Sequence, residues 1–215
     1  RLFTHGQYSH ASVCLEDDFK TLYSFGRLNC YNPFFGGYVK ESPDFGTFKR
    51  FQNTQVSIIR IEVDEKCYNA LKKYLETMYE NRKRYTYNYL GLILAMFNRP
   101  FKRRNSYYCS EFVGNLLSDF SVVDEKCFGE IIRPMDLSEL PNSYVVYTGF
   151  LSVFCGVEGL SVPSVTGGRL SSIGVLSLVR LLEIATAHTI TTAATRTHAE
   201  TRAVRLIFRF FIFSI

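Results

Sequence analysis

Several residue types and patterns are missing from this sequence of 215 residues. Tryptophan is absent, and only four histidines occur. The six cysteines contain no CxxC pair and no zinc-like spacing to a histidine, so we expect no structural metal. They are also too sparse for a disulfide-stapled mini-domain, which favours reduced thiols and a cytoplasmic protein. No glycine-rich loop has phosphate-binding spacing, so no cofactor is predicted.

Long apolar runs and targeting signals are also missing. No apolar run reaches the ~20 residues that span a bilayer. The N-terminal "RLFTHGQYSH" lacks the apolar core and cleavage site of a signal peptide. The net charge of +5 is too small to indicate a nucleic-acid partner by itself.

Composition changes near residue 150. Lysine, aspartate, asparagine and tyrosine end at Lys126, Asp136, Asn142 and Tyr147, and the following residues are rich in Ser, Thr, Ala, Val, Leu and Arg. This predicts a domain over 1–149 and a compositionally distinct tail over 150–215, either a poorly ordered appendage or a non-native segment from a frame error or fusion. A helix over 170–187 is plausible, and no chemistry is assigned to His188 or His198.

The pattern of residues 1–149 predicts an α+β fold, a small antiparallel sheet packed with helices. Strands are expected over 9–15, 20–26, 55–63 and 143–148, the first two forming a hairpin. Helices are expected over 65–80, 85–98 and 107–120, the first capped by Asp64. The Gly- and Pro-rich residues 28–48 are predicted to be a surface loop, either an ordinary connection or a cover over a substrate.

Cys109 lies in the first turn of the third predicted helix, "YYCSEFVGNLLSDF". A helix N-terminus favours the thiolate, which is the nucleophilic form of cysteine. A nucleophile also needs a base, and outside the tail only His5 and His10 are available. His10 opens a predicted strand and is the more constrained of the two. Spacing alone leaves a second interpretation open, in which Cys109 is a buried core thiol and His10 has a structural role.

Two stretches, "YSHASVCLEDDFKTLYSFGR" and the later "YYCSEFVGNLL", resemble the circularly permuted papain-like proteins of the NlpC/P60 superfamily, which includes YiiX-like and lecithin retinol acyltransferase-like proteins. The resemblance spans residues 4–148, and bacterial proteins of this type carry a similar series of "YSFGR", "NPF", "GTFKRF" and "YNYLGL". It implies a permuted papain-like core in which the histidine strand precedes the cysteine helix. The superfamily has a further element before this start, so we expect truncation at the N-terminus.

By this resemblance, Cys109 matches the nucleophile and His10 the general base. The third position, which orients the imidazole, falls nearest to Ser24, and Glu62 is an alternative. The implied activity is a cysteine-dependent hydrolase (a peptidase or amidase) or a thioester-forming acyltransferase, acting on a peptide, amide, lipid or ester. The weak Ser24 position leaves open a catalytically decayed binding module on the same fold.

Two basic clusters beside aromatic residues, "NRKRYTYNY" (81–89) and "RPFKRRN" (99–105), have two interpretations. They can be solvated ends of helices and loops, or a surface that binds RNA or a membrane. No specific nucleic acid is expected.

Overall fold

A computed structural model describes residues 6–16, 18–51, 53–157 and 205–214. These residues form an α+β structure built on one mixed, mostly antiparallel sheet of eight strands. The strands are β1 (His10–Cys14), β2 (Leu22–Asn29), β3 (Asn32–Glu41), β4 (Gln55–Asp64), β5 (Thr86–Tyr87), β6 (Ser106–Tyr107), β7 (Ser143–Phe150) and β8 (Arg205–Ser214). Their order across the sheet is β6-β5-β3-β2-β1-β8-β4-β7, and the β5–β6 pair is parallel.

The helices are α1 (Gly46–Arg50), α2 (Glu65–Glu80), α3 (Tyr89–Met96), α4 (Cys109–Asp119) and α5 (Leu151–Val157). None of the helices in the described part of the chain is long and apolar enough to cross a membrane. The predicted α+β class is therefore confirmed, with a larger sheet than the sequence pattern indicated.

The main core lies between the sheet and the helices α2 and α4. Alternation along β1 places Ala11 and Val13 on this side, where they belong to one buried cluster with Phe112 and Val113 of α4. Phe48, Ile58 and Phe213 belong to a second, smaller cluster together with Cys14. Because α4 packs across β1, the first residue of the helix lies near the start of the strand.

Local signals in the sequence account for several element boundaries. The Asp64 carboxylate accepts a hydrogen bond from the Cys67 N–H at 2.6 Å and caps α2, as predicted. Leu71, Leu75 and Met78 are the buried stripe of that helix. The helix predicted over 85–98 is shorter, because Thr86 and Tyr87 pair with Ser106 and Tyr107 as strands.

The prediction of a surface loop over 28–48 is wrong. Residues Asn32–Glu41 form β3, which pairs with β2 over almost its whole length. Gly36 and Gly37 suggested a loop, but they serve close packing here: a Cβ on Gly36 would lie 2.8 Å from the Tyr87 Cβ, and one on Gly37 would lie 3.1 Å from the Tyr85 carbonyl oxygen. These glycines therefore allow β5 to approach β3.

The C-terminal residues also differ from the expectation of a separate tail over 150–215. Residues Arg205–Ser214 form β8, which pairs antiparallel with both β1 and β4 inside the sheet. Five apolar side chains of β8 are fully buried: Phe208, Phe210, Phe211, Ile212 and Phe213. Successive side chains of a strand face opposite sides of the sheet, and here both sides are buried. An uninterrupted apolar run therefore suits this interior strand. The helix predicted over 170–187, with His188 and His198, lies outside the described residues.

Candidate active site

His10 is the first residue of β1, and its imidazole is held at a fixed point on the sheet. Only 12% of the side chain is exposed. The ring lies 5.8 Å from the Phe213 ring and 6.2 Å from the Phe48 ring, measured between centroids. Two aromatic neighbours therefore restrict the rotation of the imidazole and limit its access to water.

Glu41, the last residue of β3, is the carboxylate partner of His10. The His10 Nε2 and Glu41 Oε2 atoms are 2.9 Å apart. The same oxygen accepts hydrogen bonds from the Ser12 hydroxyl at 3.0 Å and the Ser24 hydroxyl at 2.6 Å. Burial tends to raise the pKa of Glu41, but His10 and the two hydroxyls outweigh burial and lower it. The carboxylate is therefore ionised and anchored on three sides.

Cys109 is the first residue of α4, and its thiol lies beside the His10 side chain, which interacts with it electrostatically. The helix start is well defined, because the Glu111 carboxylate accepts the Tyr108 N–H at 3.2 Å. The backbone N–H groups of Ala11 and Ser110 also point to the sulfur. The thiol thus meets three donors at the positive end of a helix.

The electrostatics of the thiol and the imidazole are complementary. Burial raises the pKa of Cys109, but the hydrogen bond and charge of His10 and the two backbone N–H groups outweigh it, so the pKa is lowered. Burial lowers the pKa of His10, but the Glu41 carboxylate and the Cys109 thiol outweigh it and raise the pKa to about 10. These shifts favour a thiolate–imidazolium pair at neutral pH.

Tyr87 on β5 is a fourth member of the site that the sequence did not reveal. Its hydroxyl lies beside the thiol and the backbone N–H of Cys109 and interacts with both electrostatically. Burial, followed by the charge of Cys109, raises the pKa of Tyr87 well above its ordinary value, so the hydroxyl stays protonated. The alternating tyrosines of "YTYNY" were a weak signal, because the sequence pattern placed them in a helix.

The residues predicted for the site lie as follows. His10 and Cys109 are in contact, while Ser24 touches Glu41 rather than the imidazole. Glu62, the alternative orienting residue, is on β4 and pairs with Arg60 at 2.9 Å. Since β8 separates β4 from β1, Glu62 is remote from His10. His5 lies outside the described residues.

Two cavities lie next to the site, and each is lined by different helices and strands. A small cleft of about 20 Å³, room for about one water, is lined by Cys109, Ser9, Leu92, Ala95 and the segment from Ile131 to Pro134. A larger cavity of about 450 Å³ lies along the β2–β3 hairpin and α1, and Glu41 forms part of its wall. The cysteine itself is 3% exposed.

The described part of the chain holds no group of histidines, cysteines and carboxylates arranged to bind a metal. Cys14, Cys30, Cys67 and Cys127 are free thiols. The candidate site is built from the side chains of Cys109, His10, Glu41 and Tyr87. No protein-family model, no curated protein and no solved structure matches this chain.

Proposed function

We propose that this protein is a cysteine-dependent hydrolase that cleaves an amide or ester through Cys109 and His10. The observation that carries the proposal is the chain of contacts from the Cys109 thiol to the His10 imidazole and on to the Glu41 carboxylate. Nucleophile, base and orienting residue are the three roles that nucleophilic catalysis requires. The order of histidine strand and cysteine helix supports the permuted papain-like, NlpC/P60-type core that the sequence motifs suggest.

The reaction begins with attack of the Cys109 thiolate on the carbonyl carbon. Glu41 accepts a hydrogen bond from the Nε2–H of His10, which leaves Nδ1 as the nitrogen that exchanges a proton with the thiol. The imidazolium then protonates the leaving amine or alcohol as the C–N or C–O bond breaks. The acyl group remains on sulfur as a thioester, and water activated by His10 hydrolyses it.

The developing oxyanion has two donors beside the sulfur. The Cys109 backbone N–H and the Tyr87 hydroxyl both lie beside the sulfur. Donors fixed in a buried site stabilise a developing negative charge strongly. Resolution of the same thioester by another acceptor would make the protein an acyltransferase.

Labelling at pH 6 tests the proposal. The folded protein is treated with iodoacetamide, and separately with the smaller methyl methanethiosulfonate, and the modified cysteines are located by mass spectrometry. We expect Cys109 to react at pH 6 and Cys14 not to react, because Cys14 is fully buried and its pKa is raised. A folded protein in which neither reagent reaches Cys109 contradicts the proposal.

A second candidate is a catalytically decayed binding module on the same core. The small volume of the cleft beside Cys109 and the low exposure of its thiol favour it. The two candidates differ in turnover of p-nitrophenyl acetate: a hydrolase releases p-nitrophenol beyond one equivalent, and the Cys109→Ala variant does not. A binding module shows no difference between the two proteins.

A further inference from the structure

The helix α3 and the segment after it expose an unusual amount of apolar surface. Leu90, Ile93, Phe97 and Phe101 are 53%, 46%, 68% and 38% exposed. Within α3, only Gly91 and Ala95 are buried. Residues 90, 93 and 97 follow helical spacing and form one outward stripe. Contiguous exposed apolar groups mark a surface that contacts something other than water.

Basic residues surround this stripe, and acidic ones are missing. Residues 81–110 contain seven lysines and arginines and no aspartate or glutamate. Four of the basic residues, Arg99, Lys102, Arg103 and Arg104, are exposed directly after α3. We call these four residues, together with Leu90, Ile93, Phe97 and Phe101, the α3 surface.

The combination of apolar and cationic groups selects the chemistry of the partner. An apolar stripe rimmed by lysine and arginine is suited to the boundary between the anionic headgroups and the acyl chains of a membrane. Single-stranded RNA would require aromatic platforms for its bases. The stripe begins with the aliphatic side chains of Leu90 and Ile93, and it offers rings only at Phe97 and Phe101 rather than a series of platforms for successive bases. Lipid is therefore favoured over RNA.

We propose that the α3 surface docks this protein on an anionic phospholipid bilayer. The eight residues of α3 rise about 12 Å, much less than the ~30 Å hydrocarbon core, so the helix lies in the interface and does not span it. Leu92 and Ala95 of the same helix line the cleft beside Cys109. The cleft thus lies on the inward side of the helix whose outward side would contact the lipid. The proposal goes beyond the hydrolase function and does not depend on it.

Vesicle sedimentation of the full chain tests the docking. We expect binding to vesicles of phosphatidylcholine with a quarter phosphatidylglycerol, and little binding to phosphatidylcholine alone. Binding should weaken steeply between 0.05 and 0.5 M NaCl, because salt screens the attraction between the basic residues and the headgroups. Equal binding to both vesicle types, or to neither, overturns the proposal.

Removal of the apolar stripe separates docking from simple charge attraction. The triple variant Leu90→Ser, Ile93→Ser, Phe97→Ser should bind anionic vesicles at least tenfold more weakly. The control Tyr144→Ser, Val145→Ser removes side chains that are 61% and 57% exposed on β7, at the other edge of the sheet, and should bind like the wild type. Circular dichroism verifies that both variants are folded.

Neutralisation of the basic residues completes the test. Lys102→Gln, Arg103→Gln, Arg104→Gln should weaken binding by roughly a hundredfold, at about 1 kcal/mol for each charge near an anionic surface. The matched control Lys66→Gln, Lys72→Gln, Lys73→Gln removes the same charge from exposed positions on α2 and should have a much smaller effect. Equal losses in the two variants, or binding of an oligouridine probe in preference to vesicles, overturn the proposal.

Discussion

Cys14 and Cys109 are both buried, at 0% and 3% exposure, yet their surroundings have opposite effects on the two thiols. Burial raises the pKa of Cys14 to about 12, and its sulfur donates to the Glu16 carbonyl oxygen at 3.2 Å. The pKa of Cys109 is lowered, because an imidazole and backbone N–H groups outweigh a comparable burial. Burial by itself therefore makes a thiol inert, and what distinguishes Cys109 is the set of donors facing it.

The difference also follows from the secondary structure that carries each thiol. Cys14 ends a strand, where its backbone groups pair with β8. Cys109 begins a helix, where backbone N–H groups are left without intrahelical acceptors and can point to the sulfur. The comparison predicts which substitutions abolish reactivity at Cys109 and which only reduce it.

Loss of the imidazole has the largest expected effect. In His10→Gln, burial of Cys109 remains while the largest stabilising partner of the thiolate is removed, so the pKa of the thiol rises. We expect alkylation of Cys109 by iodoacetamide at pH 6 to slow by at least about a hundredfold, which makes it resemble Cys14. Labelling that continues at the wild-type rate in a folded variant contradicts an activated pair.

The pH dependence of labelling provides the next test. Below its pKa, an ordinary thiol reacts about tenfold faster for each pH unit, because the thiolate fraction rises. Since the pKa of Cys109 is lowered, its labelling rate should rise less steeply between pH 6 and 8 than that of an ordinary thiol. The urea-unfolded protein serves as the control, and its rate should rise about a hundredfold over the same range. A similar rise in the folded protein argues against the thiolate–imidazolium pair.

Glu41→Gln should have a smaller but still large effect. A neutral amide cannot stabilise the imidazolium, so the pKa of His10 falls and the pair shifts toward neutral groups. We expect turnover of p-nitrophenyl acetate to fall by about a hundredfold, within the range for a lost acid–base function. Glu62→Gln is the matched control on β4 and should retain wild-type turnover. Equal effects of the two substitutions would refute the orienting role of Glu41.

Tyr87→Phe separates thiol activation from transition-state stabilisation. It removes only the hydroxyl, so turnover of the ester should fall by about 10- to 100-fold if the hydroxyl binds the oxyanion. Alkylation by iodoacetamide forms no oxyanion and should change little. Tyr89→Phe, on a ring centred 4.7 Å from that of Tyr87, is the control and should leave both rates unchanged. A parallel loss of labelling and turnover would assign Tyr87 to thiol activation alone.

Ser24→Ala has the smallest expected effect. The serine acts only through Glu41, which keeps its contacts with His10 and Ser12. Loss of one hydrogen bond of about 1 kcal/mol predicts a decrease in turnover of about fivefold. Ser57→Ala on β4 is the control; it removes a hydroxyl 3.1 Å from the Thr148 hydroxyl of β7 and should have no effect on turnover. A loss as large as that of Glu41→Gln would place Ser24 in direct contact with the reaction.

The sequence predicted those elements whose local signals agree with their final environment. Strong local patterns mark four of them: the strand with His10, the Ile- and Val-rich β4, the Asp64-capped α2, and α4, which was predicted two residues too early. The contact between His10 and Cys109 followed from the superfamily resemblance rather than from their separation of 99 positions in the chain. A spatial contact of this kind leaves no periodic trace in a sequence.

The wrong predictions fall where a local signal disagrees with the final environment of the segment. Gly36 and Gly37 suggested a loop, although their small size serves the approach of β5 to β3. Missing that strand also hid Glu41, which lies at its end. Residues 205–214 suggested a tail because their composition differs from that of 1–149. An apolar segment can nevertheless form a buried strand between β1 and β4, even when its composition differs from that of the rest of the domain.

The sequence by itself determined the chemical types of the two central groups of the candidate site: a thiol in the first turn of a helix and a histidine at a strand start, in a chain of mixed α+β pattern. Only the tertiary structure decided which carboxylate and which hydroxyl join them. Glu41 and Tyr87 reach the site through strand pairings between distant segments, β2 with β3 and β3 with β5. Local propensity reports the conformation of a segment, whereas the partner of a buried charge depends on the pairing of strands across the sheet.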